Sequence, residues 1–159
     1  MKNNGHFNPI VDDLTILTLT KKVRGVEPAT LSNKKNKEIQ GMRVQTGGWG
    51  ELVCGDDGPR SNLRTATLDV LNRSDCQIVL RQHNLDENSL PDSFICTKAD
   101  PFVVLTKGDS GGPLFYKGDR VLAINRSICP YYVPECSRVN IHIGIDHYRN
   151  FIKEALKSK

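Results

Sequence analysis

Long apolar runs are missing from this sequence. No stretch is apolar for long enough to cross a membrane, and Met1 to Asn8 contain no apolar core of the kind that a signal peptide needs. Aromatic residues are scarce, and only one of them is a tryptophan. The net charge is +4, but aromatic residues are not interleaved with the basic clusters, which indicates a solvated surface and not a nucleic-acid interface. We expect neither nucleic acid nor a membrane as a partner.

Closely spaced pairs of cysteines, the usual mark of a metal site, are missing as well. We predict no metal and no cofactor, and we interpret the scattered cysteines as parts of a disulfide framework. Because their number is odd, at least one is free or has its partner outside this chain. The five are Cys54, Cys76, Cys96, Cys129 and Cys136.

One segment, Gly108-Asp109-Ser110-Gly111-Gly112-Pro113, combines a nucleophilic side chain with a constrained backbone. Three glycines and a proline force a tight, irregular path, which can aim Ser110 and neighbouring N–H groups at one point and so hold an oxyanion. Composition alone fits an exposed turn equally well. As an ordered string, the segment resembles the nucleophile loop of the trypsin-like (chymotrypsin-fold) serine proteases.

The resemblance implies roles for several residues. Ser110 would be the nucleophile, and the N–H groups of Gly108 and Ser110 would form the oxyanion hole. Asp13 opens an apolar segment that resembles the family strand whose leading aspartate orients the catalytic histidine. Gly47-Gly48-Trp49-Gly50 resembles the family's Gly-Trp-Gly, whose glycines let the aromatic ring pack against backbone at the start of the second barrel.

The same resemblance implies an all-β, trypsin-like fold. It predicts the last part of the first β-barrel over residues 1–20, an inter-barrel connection over 21–43, the second barrel over 44–145 and a C-terminal helix over 146–157. The residues agree with it at several points. Leu14 to Leu19 predict a strand buried on both faces, and Asn62 to Leu71 alternate as a half-buried strand does. Ser74 and Asp146 are suited to cap two helices.

For the cysteines, the resemblance implies a disulfide between Cys76 and Cys96. Thr106 stands where the family has the usual partner of Cys129. A bond from Cys129 to Cys136 is therefore an alternative, and the state of Cys54 is left open.

Departures from the family pattern concern the catalytic machinery. None of the four histidines stands in a matching motif: His6 resembles the family's variable lead-in to the Asp13 strand, and we interpret the other three, His83, His142 and His147, as surface or packing residues. We therefore expect an N-terminally truncated domain whose missing part holds the histidine. That part would also supply the N-terminus that pairs with Asp109 in active members, so we expect this carboxylate to be uncompensated and its loop to lack support.

The predicted substrate-binding residues are Val104, Asn125 and Ser127. Asn125-Arg126-Ser127 replaces the family's Ser-Trp-Gly and removes the glycine that leaves room for a substrate side chain. Val104 offers no charge at the base of the pocket, so an apolar residue would be preferred before the cleaved bond.

Two functions follow from these residues. The first is a serine endopeptidase that acts through an acyl-enzyme on protein or peptide substrates, with the histidine absent from this chain. The alternative is a non-catalytic protease homologue that binds a protein partner. By resemblance the protein is secreted, although the chain shows no signal peptide.

Overall fold

The structure is a computed structural model that describes residues 12–51, 62–82, 90–126 and 139–157, with backbone alone for 80–82. Its strands are β1 (Thr30–Leu31), β2 (Arg43–Gly48), β3 (Arg64–Val70), β4 (Phe94–Lys98), β5 (Pro113–Tyr116), β6 (Arg120–Arg126) and β7 (Asn140–Gly144). A 3-10 turn covers Asn36–Glu38, and two α-helices, α1 (Arg73–Gln82) and α2 (Arg149–Lys157), follow β3 and β7.

Six of the strands close into a barrel. Their order is β6, β5, β2, β3, β4, β7, and β7 pairs back onto β6. All six barrel pairings are antiparallel, whereas β1 lies parallel to β6 through Leu31 and Val121. Closure leaves no unpaired edge within the barrel. The expected second barrel with a C-terminal helix is therefore confirmed, and the assignment of residues 1–20 to a first barrel stays a prediction.

Alternating side chains build the barrel interior. Val44 and Thr46 of β2 and Leu68 and Val70 of β3 are buried, and the residues between them are more exposed. This two-residue period is what a strand with one buried face requires. The barrel core is completed by further apolar side chains: Ile39, Ile95, Leu114, Leu122 and Ala123.

Both helices form where the sequence predicts helix, but their first residues differ. Helix α1 is capped by Asn72, whose Oδ1 accepts the Asp75 N–H at 2.8 Å, and not by Ser74. Asn72 is the better cap because it precedes the first helical residue. In α2, Ile152 packs into the core, while Leu156 remains 58% exposed. No helix in the described part of the chain is long and apolar enough to span a bilayer.

The segment Leu14 to Leu19 is the main correction to the predicted fold. It forms no strand; Leu14 and Ile16 are partly buried, and the other residues of the segment are exposed. Leu14 and Ile16 pack against the core, whereas Leu17 is 80% exposed and Leu19 64% exposed. The prediction of burial on both faces is wrong because no described strand pairs with this segment to cover its outer face.

A chain of polar side chains crosses the barrel interior. Thr97 Oγ1 lies 2.8 Å from His142 Nε2, and His142 Nδ1 lies 3.0 Å from Asn125 Oδ1. Asn125 Nδ2 donates to Thr46 Oγ1 at 2.8 Å, and Thr46 Oγ1 donates to the Pro113 carbonyl at 3.0 Å. Each donor meets an acceptor, as buried polar groups require.

This network fixes the tautomer of His142. Asn125 offers its carbonyl oxygen to the ring, so the proton sits on Nδ1, and Nε2 accepts the Thr97 hydroxyl. Complete burial lowers the pKa of His142 to about 3, because desolvation disfavours the imidazolium. We conclude that His142 is neutral and structural, which agrees with its interpretation as a packing residue.

The disulfide between Cys76 and Cys96 is present and joins α1 to β4. The two cysteines are 20 residues apart in sequence, and in the loop-entropy account such a bond stabilises the fold by about 3 kcal/mol. We expect reduction to lower the free energy of unfolding by about this amount in urea titrations. Replacing Cys76 and Cys96 by alanine should remove this bond's share of the difference between oxidising and reducing conditions. Peptide mapping that found both thiols free in oxidised protein would contradict the assignment.

The low pKa of His142 makes stability depend on pH. The unfolded chain binds a proton near the ordinary pKa of 6.5 and the folded chain only near 3, so acid favours unfolding between these values. From pH 7 to pH 5 we expect a loss of about 2 kcal/mol in the free energy of unfolding. His142→Gln should remove most of this slope, and His147→Gln, at an exposed histidine, should keep it. Equal slopes in all three proteins would refute the explanation.

Candidate active-site cleft

The Ser110 loop lies between the segment that ends at Thr106 and strand β5. Gly108 has φ +96°, a left-handed backbone conformation that residues with a Cβ rarely adopt. Strand β6 holds the other end of the loop. The Gly111 N–H donates to the Asn125 carbonyl at 2.9 Å, and the Asn125 N–H donates to the Gly112 carbonyl at 2.7 Å. Ser110 is left exposed on this clamped turn.

Asp109 turns away from the exposed face and is held from two directions. The Gly50 N–H donates to Oδ1 at 2.9 Å, and the Thr106 N–H donates to Oδ2 at 2.9 Å. The Thr106 hydroxyl lies 3.2 Å from the same Oδ2 and 2.6 Å from the Glu51 carbonyl. Hydrogen bonds from backbone N–H groups stabilise a carboxylate. The expectation that Asp109 is uncompensated and its loop unsupported is therefore wrong for this structure.

The glycines around Trp49 explain how Asp109 reaches these donors. A Cβ on Gly48 or on Gly50 would collide with the Asp109 carboxylate. The two glycines thus leave space for the Asp109 carboxylate. The expected packing of the aromatic ring against backbone is not their main role, since Trp49 is 54% exposed.

A cleft of about 380 Å³ opens beside Ser110. It brings together three of the predicted site residues, Ser110, Asp13 and Asn125, although Asp13 and Ser110 are far apart in sequence. Apolar side chains and backbone complete the wall: Leu14, Thr15, Leu17, Gly111 and Ile124. The volume lies within the range typical of ligand sites.

Within this region Asp13 is paired with an arginine. Arg126 Nε lies 3.3 Å from Asp13 Oδ2, and the Arg126 side chain is 19% exposed while that of Asp13 is 58% exposed. The Arg126 guanidinium also lies over the Phe94 ring, 4.9 Å from its centroid, in cation–π geometry. Sequence reasoning did not identify Arg126 as a site residue. One feature of the sequence could have indicated it: Arg126 follows the predicted site residue Asn125 and stands where the family has tryptophan.

No described histidine lines this cleft. His142 lies inside the barrel, and His147 is exposed beside the Tyr148 ring. His6 and His83 lie outside the described residues. Among the described residues, the cleft therefore brings a hydroxyl and a carboxylate together, Arg126 binds that carboxylate, and no imidazole lines the cleft.

Val104, another predicted binding residue, does not line this cleft. Val104 lines a separate cavity of about 210 Å³ together with Asp109 and Glu51. Asn140 fixes the backbone there, since its side chain accepts the Leu105 N–H at 2.6 Å and donates to the Val103 carbonyl at 2.9 Å. Ser127 lies outside the described residues, as do Cys54, Cys129 and Cys136. No cluster of three potential metal ligands occurs among the residues that the structure describes.

Comparison with known proteins places these features in a family. The family model described as Trypsin matches residues 2–152. A protein of Anopheles gambiae, "Inactive CLIP domain-containing serine protease A28", is 26% identical over 156 residues, which are 93% of this chain and 40% of that protein. Human granzyme M is 35% identical over 116 residues, which are 70% of this chain and 43% of granzyme M. The chain thus spans about two fifths of the length of these relatives.

Solved structures agree on the fold. The serine protease neuropsin from mouse brain matches with a TM-score of 0.65 and 19% identity, over 82% of this chain and 54% of neuropsin. The scabies mite inactivated protease paralogue S-I1 matches with a TM-score of 0.67 and 22% identity, over 87% of this chain and 57% of that one. With the barrel, the Ser110 loop and the Asp109 contacts in place, the family match identifies this chain as a member of the trypsin family of serine proteases.

Proposed function

We propose that this chain is a non-catalytic member of the trypsin family that binds a protein segment in the Ser110 cleft. The observation that carries the proposal is the ion pair between Asp13 and Arg126. In the triad mechanism the aspartate orients a histidine, which takes the proton from serine. Here the carboxylate faces a guanidinium instead.

An arginine cannot replace the missing base. A guanidinium group carries only hydrogen-bond donors and has no lone pair to accept the Ser110 proton. Without an adjacent base the serine hydroxyl is a weak nucleophile. The pairing of Asp13 with Arg126 therefore favours binding without hydrolysis.

The cleft has the properties of a peptide-binding surface. Leu14, Leu17 and Ile124 offer apolar contacts, and Asn125 and the glycine-rich loop bring polar groups beside them. Leu17 is 80% exposed, so its burial by a partner would add apolar contact area. Two of the similar proteins are themselves described as inactive or inactivated proteases, which supports the same interpretation for this chain.

A second candidate is a serine endopeptidase. It is favoured by Ser110 and Asp13 lining one cleft and by the contacts that hold Asp109. In this case a histidine from outside the described residues would displace Arg126 from Asp13. Substrates would be proteins or peptides, and the absence of charge at Val104 would favour an apolar residue before the cleaved bond.

The reactivity of Ser110 tests whether a base in this chain activates it. We expect a fluorophosphonate probe to leave Ser110 unlabelled, because labelling needs a serine activated by a base. Mass spectrometry of the intact protein measures the adduct, with active trypsin as the positive control. A stoichiometric adduct that Ser110→Ala abolishes would favour the endopeptidase and rule out the non-catalytic proposal.

Peptide binding by the cleft is tested with variants of its apolar wall. Peptides selected from a random library against the protein should bind Leu17→Arg about tenfold more weakly or worse, since the substitution places a charge on the apolar wall of the cleft. Leu156→Arg is the matched control, because Leu156 is 58% exposed on α2 and does not line the cleft. Isothermal titration calorimetry measures both affinities. Equal affinities for the two variants would place the binding surface elsewhere.

A further inference from the structure

A third cavity, of about 310 Å³, lies between the 3-10 turn, the start of α1 and strand β4. It shares no lining residue with the Ser110 cleft. Its size is at the lower end of the range for small-molecule sites. Nothing in the proposed function uses it.

The inner wall of this cavity is apolar and rigid. Leu71, Leu90, Phe94 and the disulfide between Cys76 and Cys96 line it. The disulfide ties α1 to β4, so these two walls cannot separate. A preformed apolar wall can bind a ligand without a large cost for ordering the protein.

Hydrogen bonds from Asn36 hold the opposite wall. Its side-chain amide donates to the Asp92 carbonyl at 2.9 Å, and its backbone N–H donates to Asp146 Oδ2 at 3.2 Å. These bonds attach the 3-10 turn to the rest of the protein. Lys35 precedes the turn, and Lys37 lies within it. These lysines are consequently fixed, through their backbone, at the cavity.

The charges around the cavity are not balanced. Three cationic side chains and two carboxylates line it, and each carboxylate faces an arginine. Asp92 lies 3.3 Å from Arg73 Nη1, and Asp146 lies 3.1 Å from Arg149 Nε. In the described part of the chain no carboxylate lies within ion-pair distance of the Lys35 or Lys37 ammonium, so these two lysines are the cations of the cavity lining that no acidic side chain pairs with directly.

We propose that this cavity binds a small organic anion with an apolar body and one acidic head group. The body packs against Leu71, Phe94 and the disulfide, and the head group faces Lys35 and Lys37. Neutral apolar compounds lack the attraction to the lysines, and inorganic anions lack the apolar contact.

The test uses anilinonaphthalene sulfonate, whose fluorescence rises in an apolar site. We expect saturable binding of one molecule per folded chain, with chemical-shift changes at Leu71 and Phe94 in nuclear magnetic resonance spectra. Lys35→Glu combined with Lys37→Glu should weaken binding by about tenfold or more, because both attractive charges become repulsive. Gln40→Trp should also weaken it, since Gln40 lines the cavity and is exposed, which leaves the larger ring free to fill the space.

Matched controls distinguish binding at this cavity from non-specific binding of the dye. Lys21→Glu combined with Lys22→Glu changes the net charge equally, but neither residue lines the cavity, and affinity should change by less than about twofold. The neutral analogue N-phenylnaphthylamine should bind weakly and respond little to the lysine variants. The proposal is overturned if binding does not saturate, if both charge-reversed proteins lose affinity equally, or if the shift changes lie elsewhere. Affinities are compared only among variants that unfold at the same temperature. The outcome is independent of whether Ser110 is reactive.

Discussion

Asn125 is the residue on which the barrel interior and the exposed loop both depend. Its backbone exchanges hydrogen bonds with Gly111 and Gly112, and its side chain bridges His142 and Thr46 inside the barrel. An amide has both a donor and an acceptor, so Asn125 can join the two ends of this network in a single orientation. The position of Ser110 is consequently tied to this hydrogen-bond network, and a change in the network would alter the loop.

The next residue along β6 accounts for the character of the cleft. Side chains alternate between the two faces of a strand, so Arg126 lies on the face opposite to the amide of Asn125. There it meets Asp13 and Phe94. A carboxylate and an exposed serine at one cleft suffice for recognition, whereas hydrolysis also needs a group that accepts a proton. The same strand thus holds the Ser110 loop through Asn125 and pairs Asp13 with a cation through Arg126.

Sequence reasoning succeeded where a pattern is local or a motif is long. The alternation in β3, the helix around Cys76 and the six-residue loop at Ser110 each carry their signal within a few residues, and the structure has a strand, a helix and a tight loop there. The disulfide from Cys76 to Cys96 followed from the family resemblance. The prediction for Leu14 to Leu19 failed because apolar composition does not say which neighbour covers a side chain. The cap at Asn72 was missed by two residues, the usual uncertainty of a helix end.

By itself, the sequence determined the family and the barrel with its C-terminal helix. It also identified Ser110 as the candidate nucleophile and Asp13 as the candidate aspartate. Only the tertiary structure decided what these groups touch. Arg126 reaches Asp13, and Gly50 reaches Asp109, across long sequence separations. The physical reason is that local patterns report which face of an element is buried, while the pairing of charges and donors depends on how distant elements pack.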